Sequence, residues 1–119
     1  MQHDCCFRDW DKWFRYRAAA IIVEDNCVLF AGNKVNDYYY SIGGGVLLGE
    51  TSEEDVKRKV FEETGVKYEV DYLAVVHDNF FAGSSDLKGY DCHEIAFYYM
   101  MKPKGNKNLI SQSVTMGSV

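Results

Sequence analysis

At 119 residues, 47% hydrophobic and 26% charged, the chain is expected to form one globular domain, 1–119, and disorder along its whole length is excluded. Its 13 Lys and Arg stand against 18 Asp and Glu, a net charge of −5 with no basic stripe, which argues against duplex nucleic acid as a partner. The longest apolar run, Ala18 to Val23, is far shorter than the roughly 18–20 residues of a spanning helix, so no membrane segment is expected.

In chain order, Met1 to Trp13 has neither the basic start nor the apolar stretch of a secretory signal. The cysteines Cys5, Cys6, Cys27 and Cys92 lack both C-x-x-C spacing and the density of a disulfide scaffold, so reduced thiols and a cytoplasmic location are expected. Residues 1–14 read as an irregular N-terminal segment. Arg15 to Val23 and Cys27 to Ala31, split by the turn formers Glu24-Asp25-Asn26, read as a β-hairpin. After a polar loop from Gly32 to Asp37, Tyr38 to Ile42 is a β-prone stretch entering Gly43-Gly44-Gly45. That triplet is expected to be neither helix nor strand interior, but a loop bare enough for a ligand to approach its backbone.

A helix is predicted over 52–64. Thr51 and Glu54 have capping-box spacing, with Ser52 and Asp55 as the alternative one residue on. Val56 and Val60 make an apolar stripe beside Phe61, and Gly65 stands where a left-handed cap belongs. Tyr68 to Val76 and Glu94 to Met101 read as strands joined by a Gly-, Ser- and Asp-rich segment. Beyond Pro103, the tail 104–119 shows no period and is expected to be irregular.

Between Glu50 and Asp71 lie eight acids against four bases, so most of the net charge sits there. On a helix Glu62 and Glu63 are about 100° apart, and their carboxylates converge without repulsion only around a cation. Hard cations such as Mg²⁺ take such oxygen ligands and complete their shell with water or phosphate. Taken alone, this pair also fits a solvated acidic face.

The longer string is more specific. Gly44, five residues, Glu50, seven residues, then Arg58-Lys59-Val60-Phe61-Glu62-Glu63-Thr64-Gly65-Val66 resembles the Nudix box, G-x5-E-x7-R-E-U-x-E-E-x-G-U with U a bulky aliphatic, at every specified position except Lys59, where the family has Glu. The resemblance implies an α+β fold, an α/β/α sandwich around a mixed β-sheet. It also implies Mg²⁺-dependent hydrolysis of a nucleoside diphosphate linked to another group, with Mn²⁺ as an alternative ion and a small nucleotide-derived substrate as partner. Carried over by position, Glu62 and Glu63 would be metal ligands, Gly43 would offer its carbonyl, and Glu50 would either bind metal or pair with Arg58. Arg58 would orient the glutamates.

Bound Mg²⁺ would neutralise the pyrophosphate and acidify a bound water, and a nearby carboxylate would take its proton. The family often draws a further Glu from beyond the box; Glu94 is the candidate here, with His93 behind it and an exposed strand-end acid as the plain alternative. An ammonium at Lys59 can neither hold metal nor accept that proton, so Lys59 either faces a phosphate or weakens the site. The rival reading is therefore a Nudix-fold module that binds a nucleotide without turning it over. Tyr38 and Tyr40, on one face of a strand, and Phe80, just past another, are candidates to contact substrate, with core packing as the alternative. Cys5, Cys6, His3, Cys92 and His93 match no zinc spacing. The particular nucleotide and the oligomeric state are not legible in this sequence.

Overall fold

The computed structural model describes residues 3–24, 26–33, 38–40, 42–104 and 114–118, with the backbone alone at 29–33, 38–40 and 114–118. The central strand of the larger sheet is β2 (Lys12–Ile21). β1 (Cys6–Asp9) pairs antiparallel with its first half and β6 (Ile42–Gly45) with its second half. Along its other edge β8 (Asp91–Met101) runs parallel over the full length, and β7 (Val70–Ala82) closes the sheet antiparallel to β8. A smaller sheet holds β3 (Val23–Glu24), β4 (Cys27–Asn33), β5 (Tyr38–Tyr40) and β9 (Val114–Ser118). Val23 pairs with Val28 and Glu24 with Cys27, so the expected hairpin is there, with Asn26 at φ 65° in its turn; Asp25 lies outside the described residues.

The single described α-helix, α1 (Ser52–Thr64), spans the predicted range and rests on β2, β6 and β8. Side chains alternate along a strand, so one face of the sheet presents Tyr16, Ala18 and Ala20 of β2 with Phe97, Tyr99 and Met101 of β8. Val56 and Val60 pack on that face with Ile22, Ile42, Val46 and Tyr68. The two valines are fully buried, each contributing about 1.5–3 kcal/mol. The opposite face carries Arg15, Arg17 and Ala19 beside Glu94 and Ala96. The fold is thus α+β with a mixed sheet. Of the helical layers implied by the sandwich, the described residues contain the one formed by α1.

Three expectations are corrected. The glycine triplet is strand, not loop: Gly43, Gly44 and Gly45 pair with Ala19, Ala18 and Arg17, because a ladder needs backbone groups only. Gly43 is required there by space, since an added Cβ would strike the Ala18 carbonyl and lie 2.7 Å from the Ala19 Cα. The N-terminal segment is a hairpin, Asp9 opposite Lys12, turning at Trp10 with φ 56°; it was missed because that turn has no glycine. Within the tail 104–119, β9 pairs with β4 from Cys27–Ser118 to Ala31–Val114, a partnership fixed by backbone register and not by any period in its side chains.

Candidate active site

Both ends of the helix are fixed by caps. Thr51 Oγ1 accepts from the Glu54 N–H at 3.1 Å and the Glu54 carboxylate accepts from the Thr51 N–H at 3.0 Å, the complete capping box. The alternative pair separates: Ser52 Oγ meets the Tyr99 hydroxyl at 2.5 Å and Asp55 turns inward. At the other end Gly65, at φ 74°, donates to the Phe61 carbonyl at 2.8 Å, and Val66 packs back on the core. These ends fix the rotation of α1, so Asp55, Arg58 and Glu62 share a row at spacings of three and four residues.

Arg58 ties the row together. Its Nε and Nη2 donate to the two oxygens of Glu50 at 3.2 and 3.0 Å, Nη2 also reaches Asp55 Oδ1 at 2.9 Å, and Nη1 reaches Glu62 Oε1 at 2.8 Å. The carboxylates around it raise its pKa above the usual arginine value, the Glu50 hydrogen bonds most of all, so it is a permanent cation. Of the two roles open to Glu50, pairing with Arg58 is the one seen.

Lys59 does not face solvent. Its ammonium donates to the Gly45 carbonyl and lies 3.2 Å from Asp55 Oδ2. An added Cβ on Gly44 would lie 3.1 Å from that Nζ, so the triplet also makes room for the lysine. Asp55 is fully buried; burial raises its pKa, against the pull of Lys59 and Arg58. Sequence reasoning overlooked Asp55 as a site residue, although its spacing to Arg58 and Lys59, three and four residues, was the available signal.

Glu62 and Glu63 lie together at the C-terminal end of α1, Glu62 with its side chain 56% exposed and Glu63 half-buried. Glu94 is elsewhere: on the sheet face away from α1, 7% exposed, it accepts from Arg15 Nε at 3.0 Å and Nη2 at 2.5 Å. The structure therefore does not bring it to Glu62 and Glu63. His93 Nε2 donates to Asp78 Oδ1, 2.9 Å away, and Phe80 stacks on its ring, both in a cleft at the end of the sheet. Tyr38 and Tyr40 form β5 by their backbone, and their side chains lie outside the described residues.

The donor chemistry fits a hard cation of a particular kind. Among the described residues no group of three or more His, Cys, Asp or Glu side chains is placed to hold an ion alone. Two adjacent carboxylates on an accessible helix end suit Mg²⁺ as it ordinarily binds, through one or two carboxylates, several waters and a substrate's phosphates. Glu62 and Glu63 would hold it.

The chain matches the NUDIX domain over residues 13–114 and belongs to that family. It is 33% identical over 98 residues to a MutT-like protein of Streptomyces ambofaciens, a match covering 82% of this chain and 57% of that one, so it spans little more than half of this relative. Among solved structures it resembles a MutT protein from Methanosarcina mazei Go1, with TM-score 0.68 and 19% identity, covering 89% of this chain and 76% of the other. It also resembles a UDP-X diphosphatase, with TM-score 0.62 and 22% identity, covering 87% and 50%. At these identities the likeness is one of fold. Nudix hydrolases generally use divalent cations, and none of the described helices is long and apolar enough to cross a membrane.

Proposed function

We propose that this chain hydrolyses the pyrophosphate bond of a nucleoside diphosphate linked to another group, an ADP-ribose-like compound, a nucleotide sugar or a nucleoside triphosphate, with Mg²⁺ or Mn²⁺. The observation that carries this reading is the Arg58 junction: one guanidinium ties Glu50, just before the helix, to Asp55 and Glu62 on a helix capped at both ends. The name of the UDP-X diphosphatase is consistent with diphosphate chemistry on this fold.

When bound, the metal supplies charge neutralisation at the pyrophosphate and acidifies a water. Glu62 and Glu63 would hold it, and Arg58 keeps Glu62 from rotating away through its 2.8 Å hydrogen bond. Glu94 is engaged with Arg15 on the far face, so the proton of an attacking water would fall to a carboxylate of α1. Lys59, held between Gly45 and Asp55, fixes the glycine strand to α1 and leaves catalysis to the other acids.

A second reading is favoured by that same lysine: a nucleotide-binding module with little or no turnover. The deciding experiment is product release from ADP-ribose, nucleotide sugars, dinucleoside polyphosphates and nucleoside triphosphates, with Mg²⁺ or chelator, for wild type and Glu63→Gln. The hydrolase reading expects Mg²⁺-dependent turnover lowered by a factor of about 100 or more in Glu63→Gln. Binding without product in wild type supports the module instead.

A further inference from the structure

β7 is the outer strand of the larger sheet among the described residues, and its two halves differ. In the first half its register against β8 shifts twice, between Val70 and Tyr72 and between Leu73 and Val75, and such bulges turn an edge away from partners. From Val75 to Ala82 the ladder is regular, running opposite Tyr98 back to Asp91. That stretch, VVHDNFFA, holds no Lys, Arg or Pro, the residues that ordinarily guard an open edge. Its apolar side chains stand in water: Val75 is 50%, Val76 54%, Phe80 70% and Phe81 37% exposed.

The pattern of this stretch fits a copy of itself. Val76, Asp78 and Phe80 share the α1 face with their partners Phe97, Ile95 and His93, while Val75, His77, Asn79 and Phe81 lie on the other. Two such edges pairing antiparallel about a two-fold axis normal to the sheet bring together residues of the same face, so the axis must pass through a residue pair. With the axis at Asp78, Val76 of one copy meets Phe80 of the other and Val75 meets Phe81, each pair occurring twice. All four exposed apolar side chains then gain an apolar partner, and such pairs contribute about 0.2–1 kcal/mol each. Moving the axis to His77 sets Val76 against Asp78, and moving it to Asn79 sets Asp78 against Phe80. The cost at the axis is one Asp78 facing the other, and His93, bound at 2.9 Å, draws that carboxylate toward β8 and away from the edge. The C-terminal part of the chain is committed elsewhere: β9 pairs with β4, and the Lys104 N–H is held by the buried Glu24 at 2.6 Å.

We infer that residues 75–82 of β7 form a homodimer interface, in which two copies continue the larger sheet by antiparallel pairing centred on Asp78. The exposed parts of the two valines and two phenylalanines amount to on the order of 400 Å² per copy. With the backbone edge the total approaches about 1,000 Å², the size of a transient interface, so a Kd of roughly 10–100 µM is expected and dilute protein is monomeric. Neither Arg58 nor the carboxylates it holds take part, so the dimer and the hydrolase reading stand or fall separately.

Sedimentation equilibrium in chelator from about 2 to 300 µM should show a reversible dimer in wild type. Val75→Lys should dimerise at least about tenfold more weakly and melt like wild type in dilute solution, since that side chain is half exposed. Asp78→Cys tests the register without relying on that variant. Opposite residues in an antiparallel pair lie about 4.5–5.5 Å apart at Cα, within disulfide reach, so mild oxidation should give covalent dimers. Tyr72→Cys, far from its own copy in this register, and wild type with its four free cysteines should not. Wild type that stays monomeric at every concentration overturns the interface, as does Val75→Lys dimerising as tightly as wild type. Cross-linking in Tyr72→Cys equal to that in Asp78→Cys overturns the pairing centred on Asp78.

Discussion

Lys59 and Asp55 set the state of the site before any ligand arrives. A buried carboxylate is tolerated only with a compensating charge, and Asp55 has two cations against it. Lys59→Glu would replace one of them with a second carboxylate; at an effective dielectric of 20 and about 4 Å the repulsion is of order 4 kcal/mol. The variant should melt several degrees lower than wild type in chelator and gain more from added Mg²⁺ than wild type, whose shift comes from Glu62 and Glu63 alone. Equal Mg²⁺ shifts in both proteins would contradict this account. Glu94 gives the opposite kind of prediction. Because it bonds Arg15 on the far face, Glu94→Gln should cost about 1–3 kcal/mol in denaturant unfolding and leave metal affinity unchanged, measured by calorimetric titration. The Arg58–Glu50 pairing was legible because both residues belong to one spaced string. The partner of Glu94 was not, since Arg15 lies 79 residues away and meets it only through a parallel register.

Among the elements, α1 was readable to the residue because its boundaries are local chemistry: a hydroxyl, a carboxylate three residues on, and a glycine at positive φ. Thr51→Ala should destabilise the protein by about 0.5–2 kcal/mol. The other half of the capping box, the Glu54 carboxylate, should contribute in a pH-dependent way. Glu54 accepts the backbone N–H of Thr51, and this hydrogen bond is the main cause holding its pKa below the usual 4.5. An acid whose pKa is lowered by folding contributes stability above its unfolded value, and the contribution fades as pH falls through the folded one. The gap between Glu54→Gln and wild type should therefore narrow below about pH 4.5 in urea unfolding series. β6 was misread for the converse reason: nothing local marks three glycines as strand, and only the neighbouring backbone of β2 makes them one.

For the molecule as a whole, β7 closes the larger sheet with β8 as its one partner among the described strands, and both of its faces carry exposed apolar groups, among them Tyr72, Leu73, Val75 and Val76. Such an edge is a template for pairing with another chain unless a charge interrupts it. Val76→Lys should leave the melting temperature within about 1–2 °C of wild type, because that side chain is half exposed, while reducing light scattering during refolding. Unchanged scattering would mean that aggregation starts elsewhere.

The parallel pairing of β2 with β8 sets a timetable. Residues 12–21 are made early and their full-length partner, 91–101, late, with both β6 and α1 between them. At a synthesis rate of roughly 5–20 residues per second, the central strand spends several seconds outside the ribosome with one edge unpaired. Closing so long a loop costs entropy that no contact returns until β8 is in place, which favours late, cooperative folding over stepwise growth from the N-terminus. The strand that organises the finished sheet is thus the one whose protection during synthesis matters most.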